Sequence, residues 1–137
     1  MMRALLLPVG ADWYAVAMDA VREVVPQPRP ASVPTRQRAV LGLFNLRGEV
    51  VPLFDTGALL GLTGTPAGPY CAVVLTSLGP AGLVATGVPE SADLGEPVSR
   101  ADSSAGLGCY AVGNRLVVLL DVEALLAPDR RDVRLAS

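Results

Sequence analysis

The sequence predicts an all-β chain folded as a barrel or sandwich. Three observations carry that prediction. The apolar segments are short and separated by Gly, Pro and Asn, the punctuation of strands joined by turns. Val, Leu and Ala dominate them. A greasy strand followed by an aspartate and an Ala-Leu-Leu turn occurs twice, in PLFDTGALL (52–60) and VLLDVEALL (118–126). That repetition reads as two related small barrels inside a single domain spanning residues 1–137.

The elements follow in order. RALLLPV (3–9) and WYAVAM (13–18) flank Gly10-Ala11-Asp12 as a first hairpin. DAVREVV (19–25) reads as a single helical turn capped by Asp19. Pro26, Pro28, Pro30 and Pro34 then forbid regular structure and make 26–39 a stiff, exposed connection. VLGLFNL (40–46) and EVVPLF (49–54) flank Arg47-Gly48 as a second hairpin, with Gly48 supplying the positive φ of a tight turn. The first of these strands is apolar on both faces apart from Asn45, so it is expected to be buried on both sides. Pro52 places its partner at a sheet edge or beside a bulge. DTGALLGL (55–62) is a short helical turn capped by Asp55, with Gly61 near its end, and TGTPAGPY (63–70) is a loop. CAVVLTSL (71–78) and GLVATGV (82–88) flank Gly79-Pro80-Ala81 as a third hairpin. PESADLGEPVSRADSSAG (89–106) is polar, turn-rich and expected to be mobile. LGCYAV (107–112) and RLVVLLD (115–121) flank Gly113-Asn114 as a further hairpin. DVEALL is a short C-terminal helix capped by Asp121, and the charged tail 127–137 is expected to fray.

Composition removes several functions. The 137 residues are 51% hydrophobic, enough to bury one core. The net charge is -2, so there is no basic field to hold nucleic acid. Histidine is absent, which removes Ser-His-Asp and Cys-His catalysis, histidine metal sites and a phosphohistidine. Cys71 and Cys109 match no metal spacing and sit in apolar runs, so both read as small core residues, with a disulfide open but unsupported. Ala4–Leu7 is too short for a signal segment and Pro8 interrupts it. The greasy region 72–88 contains Gly79, Pro80, Gly82 and Gly87, whereas a span needs about 20 uninterrupted apolar residues. The expectation is a cytoplasmic, soluble protein without direct membrane insertion.

Neither a P-loop, nor G-x-G-x-x-G, nor G-x-S-x-G is present. Capping accounts for Asp19, Asp55 and Asp121, so no enzyme class gains positive support and no cofactor or metal is expected. Binding remains. Arg47 sits at a hairpin tip, where it is either ordinary surface or a contact residue held by a rigid turn. Rigidity lowers the entropy of binding, and arginine is enriched at interface hot spots. Asn45 interrupts an apolar strand and is placed to hydrogen-bond the turn. Val21, beside Arg22 and Glu23, forms a second candidate surface.

GLFNLRGEVVPLFDTGALLGL (42–62) resembles the signature of the chemotaxis coupling-protein family, CheW. Gly42, Asn45, Leu46, Arg47, Gly48, Pro52 and Asp55 match it. VGADWYAVAMDAVREVV (9–25) is similar to the family's opening, with Val21 and Glu23 on its Val-x-Glu pattern. GNRLVVLLDVEALL (113–126) is similar to its last strand and helix, with Asp121 matching. The resemblance implies two intertwined five-stranded β-barrels and a non-enzymatic adaptor. It implies two partners, the regulatory domain of a CheA-type histidine kinase and the cytoplasmic tip of a methyl-accepting chemoreceptor. It also implies that Arg47 and its turn (Asn45, Leu46, Gly48) belong to partner contact, with Val21, Glu23 and Gly42 near the partner-facing surfaces. One departure is VATGVPES (84–91), where Thr86-Gly87 stands in place of the family's aspartate; a polar contact is expected to be missing there. Two other readings stay open: a paralogue serving a pilus-motility or other array, and a small-molecule-binding β-barrel.

Overall fold

Ten strands are formed among the residues described by the computed structural model, which are 1–35, 37–62, 68–101 and 105–127. In chain order they are β1 (Met2–Val9), β2 (Asp12–Ala17), a 3-10 turn (Met18–Ala20), β3 (Val21–Pro26), β4 (Val40–Leu46), β5 (Glu49–Phe54), α1 (Thr56–Leu59), β6 (Tyr70–Thr76), β7 (Gly79–Ala85), β8 (Glu90–Leu94), β9 (Gly106–Val112), β10 (Arg115–Leu120) and α2 (Val122–Leu126). They make two five-stranded sheets, the first ordered β8-β1-β2-β10-β9 and the second β3-β6-β7-β5-β4.

The repeated Asp-x-x-Ala-Leu-Leu signal is one visible part of a full internal duplication. Each half of the chain is a hairpin, then a lone strand, then a second hairpin ending in a capped helix. The β1–β2 hairpin joins the first sheet, while β3, β4 and β5 cross to the second. The β6–β7 hairpin joins the second sheet, while β8, β9 and β10 cross back. The registers repeat too. Leu119 pairs with Ala15 and Leu120 with Val16 in parallel, as Leu53 pairs with Gly82 and Phe54 with Leu83. Asp55 accepts from the Ala58 N–H, and Asp121 accepts from the Glu123 and Ala124 N–H groups, so both aspartates are the N-caps expected of them.

Alternation along each strand builds three cores. Leu6, Ala15, Val117 and Leu119 fill the curl of the first sheet, and Phe44, Val51, Leu53, Cys71 and Val73 that of the second. The opposite faces, with Leu5, Leu7, Val16, Val74 and Leu83, pack the sheets on each other, and α2 adds Val122 and Leu125. One isolated bridge lies beside an edge of each sheet. Ala31 pairs with Leu43 beside β4, and Ser99 with Cys109 beside β9.

Five readings are corrected. Residues 21–26 are a strand, and Asp19 lies inside the 3-10 turn, whose N-cap Ala17 makes no side-chain bond. The spacing of Val21, Val24 and Val25 also suits a helix face, but pairing with β6 decides for a strand, where β-branched residues pack well. The third hairpin turns at Ser77-Leu78, and Gly79, Pro80 and Ala81 lie within β7. Strand β5 is interior rather than an edge, and of the two alternatives it is a bulge that is present, in the β4–β5 ladder where the register shifts between Val40 and Gly42. Both Pro52 and Pro80 are tolerated because they lie outside the short parallel ladder, which uses Leu53 and Phe54 against Gly82 and Leu83; a missing N–H costs nothing where no strand is paired. Strand β4 is an edge strand buried on one face rather than both, with only Gly42 and Phe44 fully buried on it. The segment 89–106 contains β8, paired to β1.

The loop 63–67, residues 102–104 and the tail from 128 lie outside the described residues. Both cysteines are free: Cys71 is buried as expected, whereas Cys109 is half-buried. Burial pushes the Cys71 thiol up to about 12. Among the described residues no helix is long and apolar enough to cross a membrane.

Candidate functional site

The β4–β5 turn is built by its own sequence. Arg47 has φ 51 and Gly48 φ 90, the two positive values that a type I′ hairpin turn requires. Asn45 Oδ1 accepts the Gly48 N–H at 2.8 Å and braces the loop. A non-glycine residue held at positive φ is strained, and such positions collect at functional sites.

Arg47 is held from outside the hairpin. Its Nη1 donates to Glu23 Oε1 at 3.0 Å and its Nη2 to Glu23 Oε2, a bidentate fork that fixes the guanidinium plane. A second ion pair crosses beside it, Arg22 Nη1 to Glu49 Oε1 at 2.5 Å. Both acceptor and donor on β3 reach the tip because the β3–β6 register shifts between Val21 and Glu23, and a bulge re-aims neighbouring side chains. The Arg47 hydrogen bond holds the Glu23 carboxyl below its usual value, and the same bond raises Arg47. Arg47 nevertheless remains 64% exposed while Glu23 is 24% exposed. Such a tip offers a rigid, charge-balanced contact surface, with Val50 exposed beside it.

The predicted site residues divide into two groups. Arg47, Asn45, Gly48 and Glu23 come together at this tip, with Leu46 half-buried beneath it against the second sheet's core. Val21 instead packs its side chain against the core between the sheets. Gly42 is buried further along β4, under Ala31. Sequence reasoning missed the Arg22–Glu49 pair. Its only signal was Glu49 opening the strand after the Arg-Gly turn, and nothing in the spacing linked that to Arg22.

The corresponding end of the first sheet is built differently. Arg115 donates to Glu90 at 2.8 Å and lies 4.0 Å over the Trp13 ring, a cation–π contact. The contact expected to be missing at Thr86 is present. Thr86 Oγ1 accepts the Gly10 N–H at 3.0 Å and donates to Pro8 O at 3.1 Å, and the Thr86 N–H donates to the same carbonyl at 2.8 Å. A hydroxyl donates as well as accepts, so threonine ties the end of β7 to the β1–β2 turn through its side chain.

Among the described residues no three His, Cys, Asp or Glu side chains gather as a metal site. Buried apolar side chains cluster inside both curls. A depression of about 240 Å³ lies outside them, between the β6–β7 turn and α2. Its carboxylate, Glu123, is already taken by the Ser77 N–H and hydroxyl at 2.6 and 2.8 Å.

Comparison with known proteins bears on this geometry. The model of the CheW-like domain matches residues 3–130. The chain is 26% identical to the chemotaxis protein CheW of Klebsiella aerogenes, over 91% of this chain and 81% of that protein. Its fold resembles that of the scaffolding protein TtCheW from Thermoanaerobacter tengcongensis, with a TM-score of 0.82, 18% identity and 96% of each chain covered.

Proposed function

This chain belongs to the CheW-like domain family, and from that premise we propose that it is a non-enzymatic scaffold of a chemotaxis array. In this reading it joins the regulatory domain of a CheA-type histidine kinase to the cytoplasmic tip of a chemoreceptor. It acts by holding both partners at once, and the phosphate chemistry stays in the kinase. It resides in the cytoplasm and reaches the membrane-associated array through its partners.

The observation that carries the reading at residue level is the Arg47 tip. An exposed guanidinium is fixed by a braced turn and by Glu23, so its ordering is largely complete before a partner arrives. Arg47, Glu23, Asn45, Gly48 and Leu46 are assigned to the contact, and Val21 and Gly42, which lie apart from the tip, to the partner-facing surfaces near it.

The test is titration calorimetry of the chain with a receptor-tip fragment and, separately, with a kinase regulatory domain. Arg47→Glu sets a carboxylate against Glu23 and is expected to weaken one of the two complexes by at least about tenfold. Unchanged affinity for both partners would remove Arg47 from the interface.

A further inference from the structure

From Val24 to Gly48 the sequence carries four arginines and no carboxylate, in a chain whose net charge is -2. One of the four, Arg36, lies outside the described residues, and Arg47 is taken up by Glu23. Arg29 and Arg38 are exposed and make no ion pair among the described residues. Both lie in the connection between β3 and β4. The duplication supplies an internal comparison. The equivalent connection between β8 and β9 carries Glu96 and Asp102 beside its single Arg100. The basic excess belongs to the second sheet alone.

The backbone that carries Arg29 and Arg38 is ordered in advance, which lowers the cost of binding. Pro26, Pro28, Pro30 and Pro34 fix φ along it. The Gln27 N–H donates to Pro69 O at 3.0 Å, and Ala31 exchanges two hydrogen bonds with Leu43 of β4 at 2.7 and 2.9 Å. Arg38 sits in a turn closed by the Val40 N–H on Gln37 O at 3.2 Å, and its neighbour Ala39 accepts the Asp55 N–H at 2.7 Å. The Ala31–Leu43 bridge is antiparallel. Arg29 therefore lies toward Asn45 and the Arg47 tip, and Arg38 at the opposite end of β4. From residue 40 to residue 45 a strand covers about 17 Å. A single phosphate or carboxylate does not reach both arginines, whereas a segment bearing several carboxylates does.

Between the two arginines the surface is apolar. Leu41, Leu43 and Asn45 alternate with the buried Gly42 and Phe44 and so share the outer face of β4. Val50 of β5 pairs with Asn45 on that face. Leu41 is 39% exposed and Val50 61%, and neither packs into one of the three cores. An apolar centre with a charged rim is the anatomy of a protein contact. A nucleic acid is disfavoured, because it calls for stacking aromatics and a continuous basic groove, and Glu23 and Glu49 stand at the tip end of this surface.

We propose that the outer face of β4 and β5, flanked by Arg29 and Arg38, docks an acidic amphipathic segment of a partner protein. Its apolar side chains would cover Leu41 and Val50, and its carboxylates would meet the two arginines. This goes beyond the adaptor reading, since it names the chemistry of the segment whichever protein supplies it.

The experiment titrates the full chain with a synthetic peptide of repeated Glu-Glu-Leu, read by backbone-amide NMR shifts. Saturable shifts are expected at Arg29, Leu41 and Asn45, with affinity falling as salt is raised. Arg29→Gln combined with Arg38→Gln is expected to weaken binding at least about fivefold. Both positions are exposed, so the fold is retained. Arg100→Gln, which removes the unpaired arginine of the equivalent connection, is expected to bind as wild type does. Repeats of Gln-Gln-Leu and of Glu-Glu-Ser are each expected to bind more weakly than Glu-Glu-Leu. No saturable shift on this face would overturn the proposal. So would an equal loss in Arg100→Gln, which would reduce the effect to net charge, or equal binding of the Gln-Gln-Leu peptide. Tighter binding of a single-stranded oligonucleotide or of phosphatidylglycerol vesicles at the same residues would also overturn it, by assigning the face to another class of partner.

Discussion

Gly82→Ala in β7 probes how the duplicated halves fill the same volume. A Cβ on Gly82 would stand 2.8 Å from Cys71 Sγ, 3.0 Å from Phe44 Cε1 and 3.1 Å from Leu53 Cδ1. The register identifies the counterparts in the first sheet. Gly82 pairs with Val73 and Leu53 as Ala15 pairs with Leu6 and Leu119, and Cys71 pairs with Val84 as Ala4 pairs with Ala17. One sheet thus fills this space with two alanines and the other with a cysteine and a glycine. Overpacking by one methyl costs about 1–3 kcal/mol, and the lost flexibility of the unfolded chain returns about 0.4–1 kcal/mol. Gly82→Ala alone is therefore expected to destabilise by about 1–2 kcal/mol. Cys71→Ala alone, emptying a site that is 0% exposed, is expected to cost about 1 kcal/mol. In the double variant the 2.8 Å neighbour is gone and the first sheet's arrangement is restored, so the total is expected to fall below the sum of the two single costs by at least about 1 kcal/mol. Urea unfolding of the four proteins, with an unchanged m-value, measures this. Additivity within about 0.5 kcal/mol would refute a shared space.

Thr86→Val keeps the shape and removes both side-chain hydrogen bonds to the β1–β2 turn; it is expected to cost about 1–2 kcal/mol in the same assay, since each bond contributes about 0.5–1.5 kcal/mol and this site is partly wet. A third expectation concerns acid. Because the folded-state pKa of Glu23 is lowered, its pair with Arg47 contributes in full above the ordinary value and is lost as pH falls through the lowered one. The stability difference between wild type and Glu23→Gln should therefore shrink as pH drops below about 4.5 and be constant above it; a difference that stays constant down to the acid limit would deny the pair any role in stability.

Much of the fold was legible because turn chemistry and period-2 patterning are local. The strands 40–46 and 49–54, both aspartate caps and the Gly113-Asn114 turn stand where the sequence puts them. What escaped depends on pairing. Strand β8 sends only Leu94 fully into the core and pairs along β1 alone, so it carries almost no apolar signal. Strand β3 was misread because its valines fit a helix face as well as a strand, and only β6 decides between them. The Asp-x-x-Ala-Leu-Leu repeat disclosed the duplication, yet not the exchange of strands between sheets. Arg47 was legible as a candidate from its turn, but Glu23 lies 24 residues away and no spacing rule joins them.

The central claim is coupling: two partners held by one chain at the same time. The most direct measurement is sedimentation of a kinase regulatory domain mixed with a receptor-tip fragment, with and without this chain, and with Arg47→Glu in its place. The account predicts a three-component species that requires this chain and is diminished by Arg47→Glu. Two binary complexes that displace each other, with no three-component species at saturating concentrations, would contradict it.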